Sequence, residues 1–119
     1  MTVRRRWRFY VTRVGRSPVR EFLTDHRLPV DDRDDILAAM KDIQVNGLEA
    51  ARHLRGDIYE VRAEGRNATY RVLFATEAAR GQVLLAVSAF AKTSRKTPAA
   101  EITLAEDRLA DWRSRARRR

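Results

Sequence analysis

The sequence predicts an α+β fold in which a small antiparallel sheet carries a helical hairpin near the N-terminus and one helix at the C-terminus. Segments 58–62 and 70–74 alternate apolar and polar residues, as half-buried strands do, and 36–43 repeats apolar residues at helical spacing. The continuous apolar run 82–90 is typical of a strand covered on both faces. We therefore expect one domain over 1–119, with the order β-α-α-β-β-β-α.

The first half of the chain contains one strand and two helices. Segment 7–12 is rich in aromatic and β-branched residues, which favour a strand. Ser17 as N-cap and Pro18 at the first helical position predict the start of a first helix. Pro29 disfavours helical geometry in the residue before it, so we expect this helix to end near Arg27. Acidic residues then open a second helix. Its apolar stripe consists of Ile36, Leu37, Met40 and Ile43, and Asn46-Gly47 is expected to end it.

The second half begins with a β-hairpin, and its pairing decides where two arginines lie. We expect its core side chains to be Tyr59, Val61, Tyr70, Val72 and Phe74. If Val61 opposes Val72, then Arg62 opposes Arg71; if Val61 opposes Tyr70, Arg71 becomes a diagonal neighbour of Arg62. Both registers put the two arginines together on the non-core face. They could bind an anion there, or Arg62 could pair with a carboxylate such as Glu60.

Three basic residues follow the central strand, just before a helix start at Thr97-Pro98. Lys92, Arg95 and Lys96 at this helix N-terminus could form a phosphate cradle, or they could be a solvated turn. The last helix is followed by a basic tail, 113–119, in which five of seven residues are arginine. Such a tail could bind phosphates or only add solubility.

Composition narrows the classes of function. The 25 basic and 16 acidic residues give a net charge of +9, with basic ends and an acidic middle, which favours nucleic acid as partner. Cysteine is absent, which excludes disulfides, thiolate metal sites and a cysteine nucleophile. Two histidines and scattered acids show no metal-ligand spacing, and no cofactor is expected. The longest apolar run, 83–87, predicts no membrane helix, so we expect a cytoplasmic protein.

A resemblance to a known family follows from three segments. Segments 54–62, 70–74 and 90–98 carry the series Tyr-x-x-Arg, Tyr-Arg, Phe-x-Lys and Lys-Thr-Pro. In combination they resemble the phage-derived, HigB-like branch of the RelE/ParE toxins, from about Trp7 to Trp112. The resemblance implies a RelE-like (microbial-RNase-like) fold and the toxin of a type II toxin–antitoxin pair.

The resemblance also implies an activity and partners. Such toxins are metal-independent endoribonucleases that cut messenger RNA, in many cases on the ribosome, and so inhibit translation. A helix-turn-helix antitoxin, HigA-like in this branch, neutralises them, and operator DNA is bound only through the antitoxin complex. Two alternatives stay open: a non-catalytic ParE-like inhibitor of DNA gyrase, and a nucleic-acid-binding module.

Attack of a ribose 2′-hydroxyl on the adjacent phosphate needs cations that stabilise the extra negative charge. We expect Arg71 to stabilise that charge, Arg62 to hold a phosphate and Lys92 to lie near the leaving oxygen or the RNA backbone. The residues expected to bind the RNA chain are Lys96, Arg95, His53 and Glu60.

The general base is open. His53 has a suitable intrinsic pKa and lies just before the hairpin, but a lone histidine can equally be structural. Glu60 is a second candidate at the RNA site, or a partner of arginine. Some RelE-type toxins use a C-terminal tyrosine, and here none follows Tyr70. Trp7 and Trp112 could stack on bases, although their apolar surroundings favour core packing.

Overall fold

A five-stranded sheet runs through the protein and carries helices on both faces. The computed structural model describes residues 4–92 and 95–117. The elements in chain order are β1 (Arg6–Phe9), α1 (Pro18–Thr24), α2 (Val30–Asn46), β2 (Arg52–Arg55), β3 (Ile58–Glu64), β4 (Thr69–Glu77), β5 (Val83–Lys92) and α3 (Ala99–Arg117), with short 3-10 helices at Gly47–Ala50 and Ala79–Gly81. The strand order is β1-β5-β4-β3-β2. The predicted α+β class is confirmed.

The sheet differs from the expected one in two respects. It is mixed, because β1 pairs with β5 in parallel while the other neighbours are antiparallel. It also has an additional edge strand, β2, which sequence reasoning treated as a loop. Three of its four residues are exposed, so β2 lacks the apolar alternation that marks a half-buried strand.

The C-terminal helix is longer than the sequence suggested. It continues to Arg117, and so includes most of the segment predicted as a basic tail. Residues 118 and 119 of that tail lie outside the described residues, as do Thr93 and Ser94 of the 90–98 segment. None of the helices in the described part of the chain is long and apolar enough to cross a membrane.

Each face of the sheet has its own apolar core. The core under α1 and α2 contains, among others, Val19, Leu23, Ile36, Met40, Ile43, Val61, Tyr70, Val72 and Phe74. The core under α3 contains Ile58, Leu73, Ala75, Leu85, Val87, Ala105 and Leu109. The central strand β5 contributes to both cores, which explains its continuous apolar sequence. The predicted non-core face of the hairpin is therefore the face on which α3 packs.

The hairpin adopts the first of the two registers considered. Val61 pairs with Val72, and Arg62 pairs directly with Arg71. Two like charges therefore stand opposite each other on the α3 face, an arrangement that destabilises a sheet unless other groups compensate.

A buried carboxylate on α2 holds the turn of this hairpin. Asp32 is fully buried. It accepts hydrogen bonds from the backbone amides of Arg66 (3.0 Å) and Asn67 (3.3 Å) and from the Tyr70 hydroxyl (2.6 Å). The hydrogen bond from Tyr70 lowers the pKa of Asp32, and burial together with Asp32 raises the pKa of Tyr70 to about 12. The N-terminal turn of α2 is thus joined to the β3–β4 turn.

Gly65→Ala tests this connection. A Cβ at position 65 would lie 2.6 Å from the Asp32 Cγ atom, so the carboxylate must move and lose its hydrogen bonds. We expect a loss of about 2 kcal/mol in the free energy of unfolding, measured by thermal denaturation. A double-mutant cycle supplies the control. In a protein that already carries Asp32→Ala, Gly65→Ala should lower the free energy of unfolding little, because the carboxylate that would clash is absent. Additive losses would show that the clash does not act through the carboxylate.

Candidate active site

The opposed arginines of the hairpin share one buried carboxylate. Arg71 donates from its NH1 atom to both carboxylate oxygens of Glu60, at 3.0 and 3.2 Å. Arg62 donates from Nε to the Glu60 Oε1 atom at 2.9 Å. Glu60 precedes Arg62 by two residues on β3 and therefore lies on the same face. The alternative in which Arg62 pairs with Glu60 is what the structure shows, and Arg71 pairs with it as well.

The same groups bind the loop that leads into α3. The Thr97 hydroxyl accepts a hydrogen bond from Arg71 NH1 (2.8 Å) and donates one to Glu60 Oε2. The Arg95 carbonyl oxygen accepts from Arg71 NH2 (2.8 Å) and from Arg62 NH2 (3.2 Å). Strands β3 and β4 are thus joined to the start of α3 by charge-assisted hydrogen bonds, which are stronger than neutral ones.

Lys92 completes a group that we call the Glu60 cluster, namely Glu60, Arg62, Arg71, Lys92 and Thr97. Lys92 ends β5 and pairs with Thr69, two residues before Arg71 on the neighbouring strand. Its residue surface is 8% exposed. Burial lowers the pKa of the Lys92 ammonium, repulsion from Arg71 and Arg62 lowers it further, and Glu60 partly opposes this shift.

The carboxylate of the Glu60 cluster is held in its ionised form. Burial raises the pKa of Glu60, but the hydrogen bonds from Thr97, Arg62 and Arg71 together lower it by more. A carboxylate stabilised in this way is a weak base. The geometry therefore favours the structural role of Glu60 over the role of proton acceptor that the sequence left open.

The cations of the site divide into a buried layer and an exposed layer. Arg71 is 2% exposed, whereas the Arg62 side chain is 41% exposed. Arg95 and Lys96, in the loop above, are both exposed. An anion approaching this surface meets Arg62, Arg95 and Lys96 first. Arg71, expected from the sequence to stabilise the reacting phosphate directly, lies beneath them against Glu60 and the loop.

The structure does not bring His53 to the Glu60 cluster. His53 lies on β2, not in a loop, and pairs with Tyr59, whose ring contacts the core under α2. Its ring centroid is 5.1 Å from that of Tyr59, and its Nε2 atom lies 2.7 Å from the Gly56 carbonyl oxygen. It therefore sits on the opposite face of the sheet from Arg62 and Arg71.

Sequence reasoning missed two residues of this site. Thr97 was interpreted only as a helix cap, whereas its buried hydroxyl bonds the two charged partners. Arg52 pairs with Glu60 across β2 and β3 and is exposed, so it adds a cation to the edge of the same face. Side chains alternate between the two faces along a strand, so recognising 52–55 as a strand would have placed Arg52 on this face. The sequence of β2 does not alternate apolar and polar residues clearly enough to be recognised as a strand.

In chemical terms, the site presents positive charge to an anion. The Glu60 cluster contains three cationic side chains and one carboxylate, and the exposed Arg95 and Lys96 border it. Buried positive charge acts through a medium of lower effective dielectric constant than water, so Arg71 and Lys92 strengthen the field at the surface above them. Arginine forks also match the oxygens of a phosphate.

Glu60→Gln tests the electrostatic balance of the cluster. The variant leaves buried Arg71 without a charged partner on β3, so we expect a loss of about 3 kcal/mol in unfolding free energy at pH 7. Because the folded-state pKa of Glu60 lies below its ordinary value of 4.5, the carboxylate stabilises the fold above that pH. The stabilisation disappears as the pH falls through the folded-state pKa.

The measurement is urea denaturation of both proteins from pH 7 to pH 3. The difference in stability should be largest at neutral pH and should narrow at the acidic end. A constant difference over the whole range would contradict a stabilising charge at Glu60.

Comparisons with known proteins show which family the sequence belongs to. The family described as "Phage derived protein Gp49-like (DUF891)" matches residues 9–110. Proteins from two strains of Mycobacterium tuberculosis, each named "Probable endoribonuclease HigB1", are 35% identical to this chain over 111 residues. The match covers 90% of this chain and 84% of each relative. These relatives confirm the resemblance to HigB-like proteins, and the chain belongs to the family of phage-derived Gp49-like proteins.

Proposed function

We propose that this protein is the toxin of a type II toxin–antitoxin pair and acts as a metal-independent endoribonuclease on messenger RNA. The observation that carries the proposal is the convergence of Arg62, Arg71 and Lys92 in one cluster on a sheet face, bordered by exposed Arg95 and Lys96. The name of the mycobacterial relatives, probable endoribonuclease, supports the reaction class.

The reaction is a transfer of the phosphoryl group within the RNA chain. The 2′-hydroxyl gives up its proton to water as its oxygen forms a bond to phosphorus, and the bond from phosphorus to the 5′-oxygen breaks, which leaves a 2′,3′-cyclic phosphate and, once the leaving oxygen is protonated, a 5′-hydroxyl. Arg62 holds the reacting phosphate and stabilises its extra negative charge. Arg95 and Lys96 hold flanking phosphates.

The buried cations have separate tasks. Arg71 is a positioning residue: through Glu60 it orients Arg62, and through the Arg95 carbonyl it holds the loop. Lys92 supplies the proton that the leaving 5′-oxygen takes up. Its lowered pKa brings the ammonium closer to the range in which proton transfer is efficient at neutral pH.

The partners and location follow from this proposal. The toxin acts in the cytoplasm on mRNA, with the ribosome as the site of cleavage, and a helix-turn-helix antitoxin of the HigA type neutralises it. Operator DNA is bound through the complex with the antitoxin. A helix-turn-helix reading frame beside the gene would support this pairing.

Arg62→Ala tests the proposed role of the exposed arginine. We expect cleavage of RNA to fall about 100-fold and growth arrest on expression to disappear, because a preorganised cation at the reacting phosphate is lost. Arg66→Ala is the matched control, since Arg66 is a more exposed arginine in the turn of the same hairpin. RNA cleavage in EDTA and the integrity of cellular transcripts are measured, with circular dichroism to verify the fold.

Two outcomes contradict the proposal. One is unchanged growth arrest by Arg62→Ala. The other is growth arrest with intact transcripts and accumulating DNA breaks, which would favour the gyrase-inhibiting alternative.

Lys92→Arg tests the proton donor. The cleavage rate of the wild-type protein should fall as the pH rises through the Lys92 pKa, which lies below its ordinary value of 10.5, since the protonated form is required. The guanidinium stays protonated at these pH values, so the variant should be slower near neutral pH and should lack this alkaline decline. Rates are measured on a short RNA after subtraction of the uncatalysed reaction. An identical alkaline limb in both proteins would exclude Lys92 as donor.

A further inference from the structure

A cleft lies at the end of the sheet remote from the Glu60 cluster. It has a volume of about 440 Å³ and is lined by residues including Arg8, Glu77, Val83, Trp112, Arg115 and Ala116. This volume is within the range of about 300–1,000 Å³ found for small-molecule sites. Val83 begins β5 and Lys92 ends it, so the cleft and the cluster are about 30 Å apart along the strand.

The cleft and the Glu60 cluster share one face of the sheet. Arg8 pairs with Leu85, which belongs to the core under α3. Helix α3 begins beside the Glu60 cluster at Ala99 and brings Trp112 to the cleft. An RNA strand that follows α3 from the proposed cleavage site would reach this cleft.

The cleft combines an aromatic ring with the positive charge of Arg8. The Arg8 guanidinium carbon lies 5.0 Å from the centroid of the Trp112 ring, and among the described residues Arg8 forms no ion pair. Glu77 also lines the cleft, but both its oxygens accept hydrogen bonds from Arg113. Arg115, which also lines the cleft, is already paired with Asp111, and Asp111 also accepts hydrogen bonds from Tyr10 and Arg13.

These surroundings fit a nucleotide better than an acidic peptide. Tryptophan offers a flat surface on which any base can stack, and Val83 and Ala116 extend it with apolar contacts. Arginines beside a ring can pair with the phosphate attached to the stacked base. An acidic peptide would use the arginines, but its side chains would leave the indole uncovered.

We propose that this cleft is a second nucleotide-binding subsite, in which one base of single-stranded RNA takes the place of the Arg8 guanidinium over the Trp112 ring and its phosphate pairs with Arg8. The inference rests on the proposed RNA substrate and adds to it a contact far from the bond that is cut. The subsite would hold the RNA chain along α3 while the Glu60 cluster binds the reacting phosphate.

Tryptophan fluorescence tests the subsite directly, because the chain contains two tryptophans. Trp7 packs in the core under α2 and donates from Nε1 to the Met40 carbonyl, so Trp7→Phe leaves Trp112 as the emitting group. The probe is a 2′-O-methyl oligoribonucleotide of about eight nucleotides, which cannot be cleaved and is long enough for a single-strand site. We expect it to quench the Trp112 emission.

Charge reversal at two positions distinguishes RNA binding in the cleft from nonspecific electrostatic attraction of RNA to the basic protein. In the Trp7→Phe background, Arg8→Glu should weaken binding of the oligonucleotide about tenfold. The decline of the logarithm of the association constant with the logarithm of salt concentration should become shallower by about 0.7 for each lost phosphate contact. Arg20→Glu, which makes the same charge change on α1, should alter affinity less than about twofold. Should Arg8→Glu fail to fold by circular dichroism, Arg8→Gln takes its place.

Three results would overturn the subsite. One is equal weakening by Arg8→Glu and Arg20→Glu. Another is RNA binding, detected by anisotropy of a labelled oligomer, without a change in Trp112 emission. The third is equally strong quenching by poly-glutamate, which would make the cleft a peptide site. Arg62→Ala should leave the quenching in place, so loss of cleavage and loss of the subsite are measured separately.

Discussion

One buried carboxylate, that of Glu60, lets two arginines stand opposite each other in the middle of a sheet. Without it, the Arg62–Arg71 pair would be repulsive, and Arg71 would be a buried charge with no counter-ion on its sheet. Glu60 and Thr97 satisfy the arginines on one side, and the Arg95 carbonyl satisfies them on the other. The interaction therefore both stabilises the hairpin and sets the loop before α3.

The two faces of the sheet serve different purposes. On one face, α1 and α2 cover an apolar core, and Asp32 joins α2 to the hairpin turn. On the other face, α3 covers an apolar core at its middle, while both of its ends lie beside cationic side chains. The Asp32 hydrogen bonds on the first face tie the hairpin turn to α2, and the second face presents Arg62 and Arg71.

The cations of the site differ in how far they are exposed to solvent. Arg71 and Lys92 are almost fully buried, so water screens their charges little, and Arg62, Arg95 and Lys96 are the cations most exposed to a ligand. Negative charge along the chain is concentrated in residues 21–60, of which α2 forms a large part. A polyanion would therefore be attracted to the α3 face, where the Glu60 cluster and the Trp112 cleft both lie.

Local patterns in the sequence determined much of the fold and the identity of the main cations. The alternation in 58–62 and 70–74 places Arg62 and Arg71 on one face in either register, because side chains alternate along a strand regardless of what packs on them. The helix signals at Pro18 and Pro98 also act locally, through the fixed backbone angle of proline.

Only the tertiary structure decided which groups neutralise those cations and which of them remain accessible. The burial of Arg71 depends on Thr97 and the Arg95 carbonyl, which are more than twenty residues away in the chain. The position of His53 is set by the pairing of β2 with β3. Because β2 is an exposed edge strand, its sequence shows no clear alternation of apolar and polar residues. Contacts between distant segments carry no local signature, since they arise only when the packed elements meet.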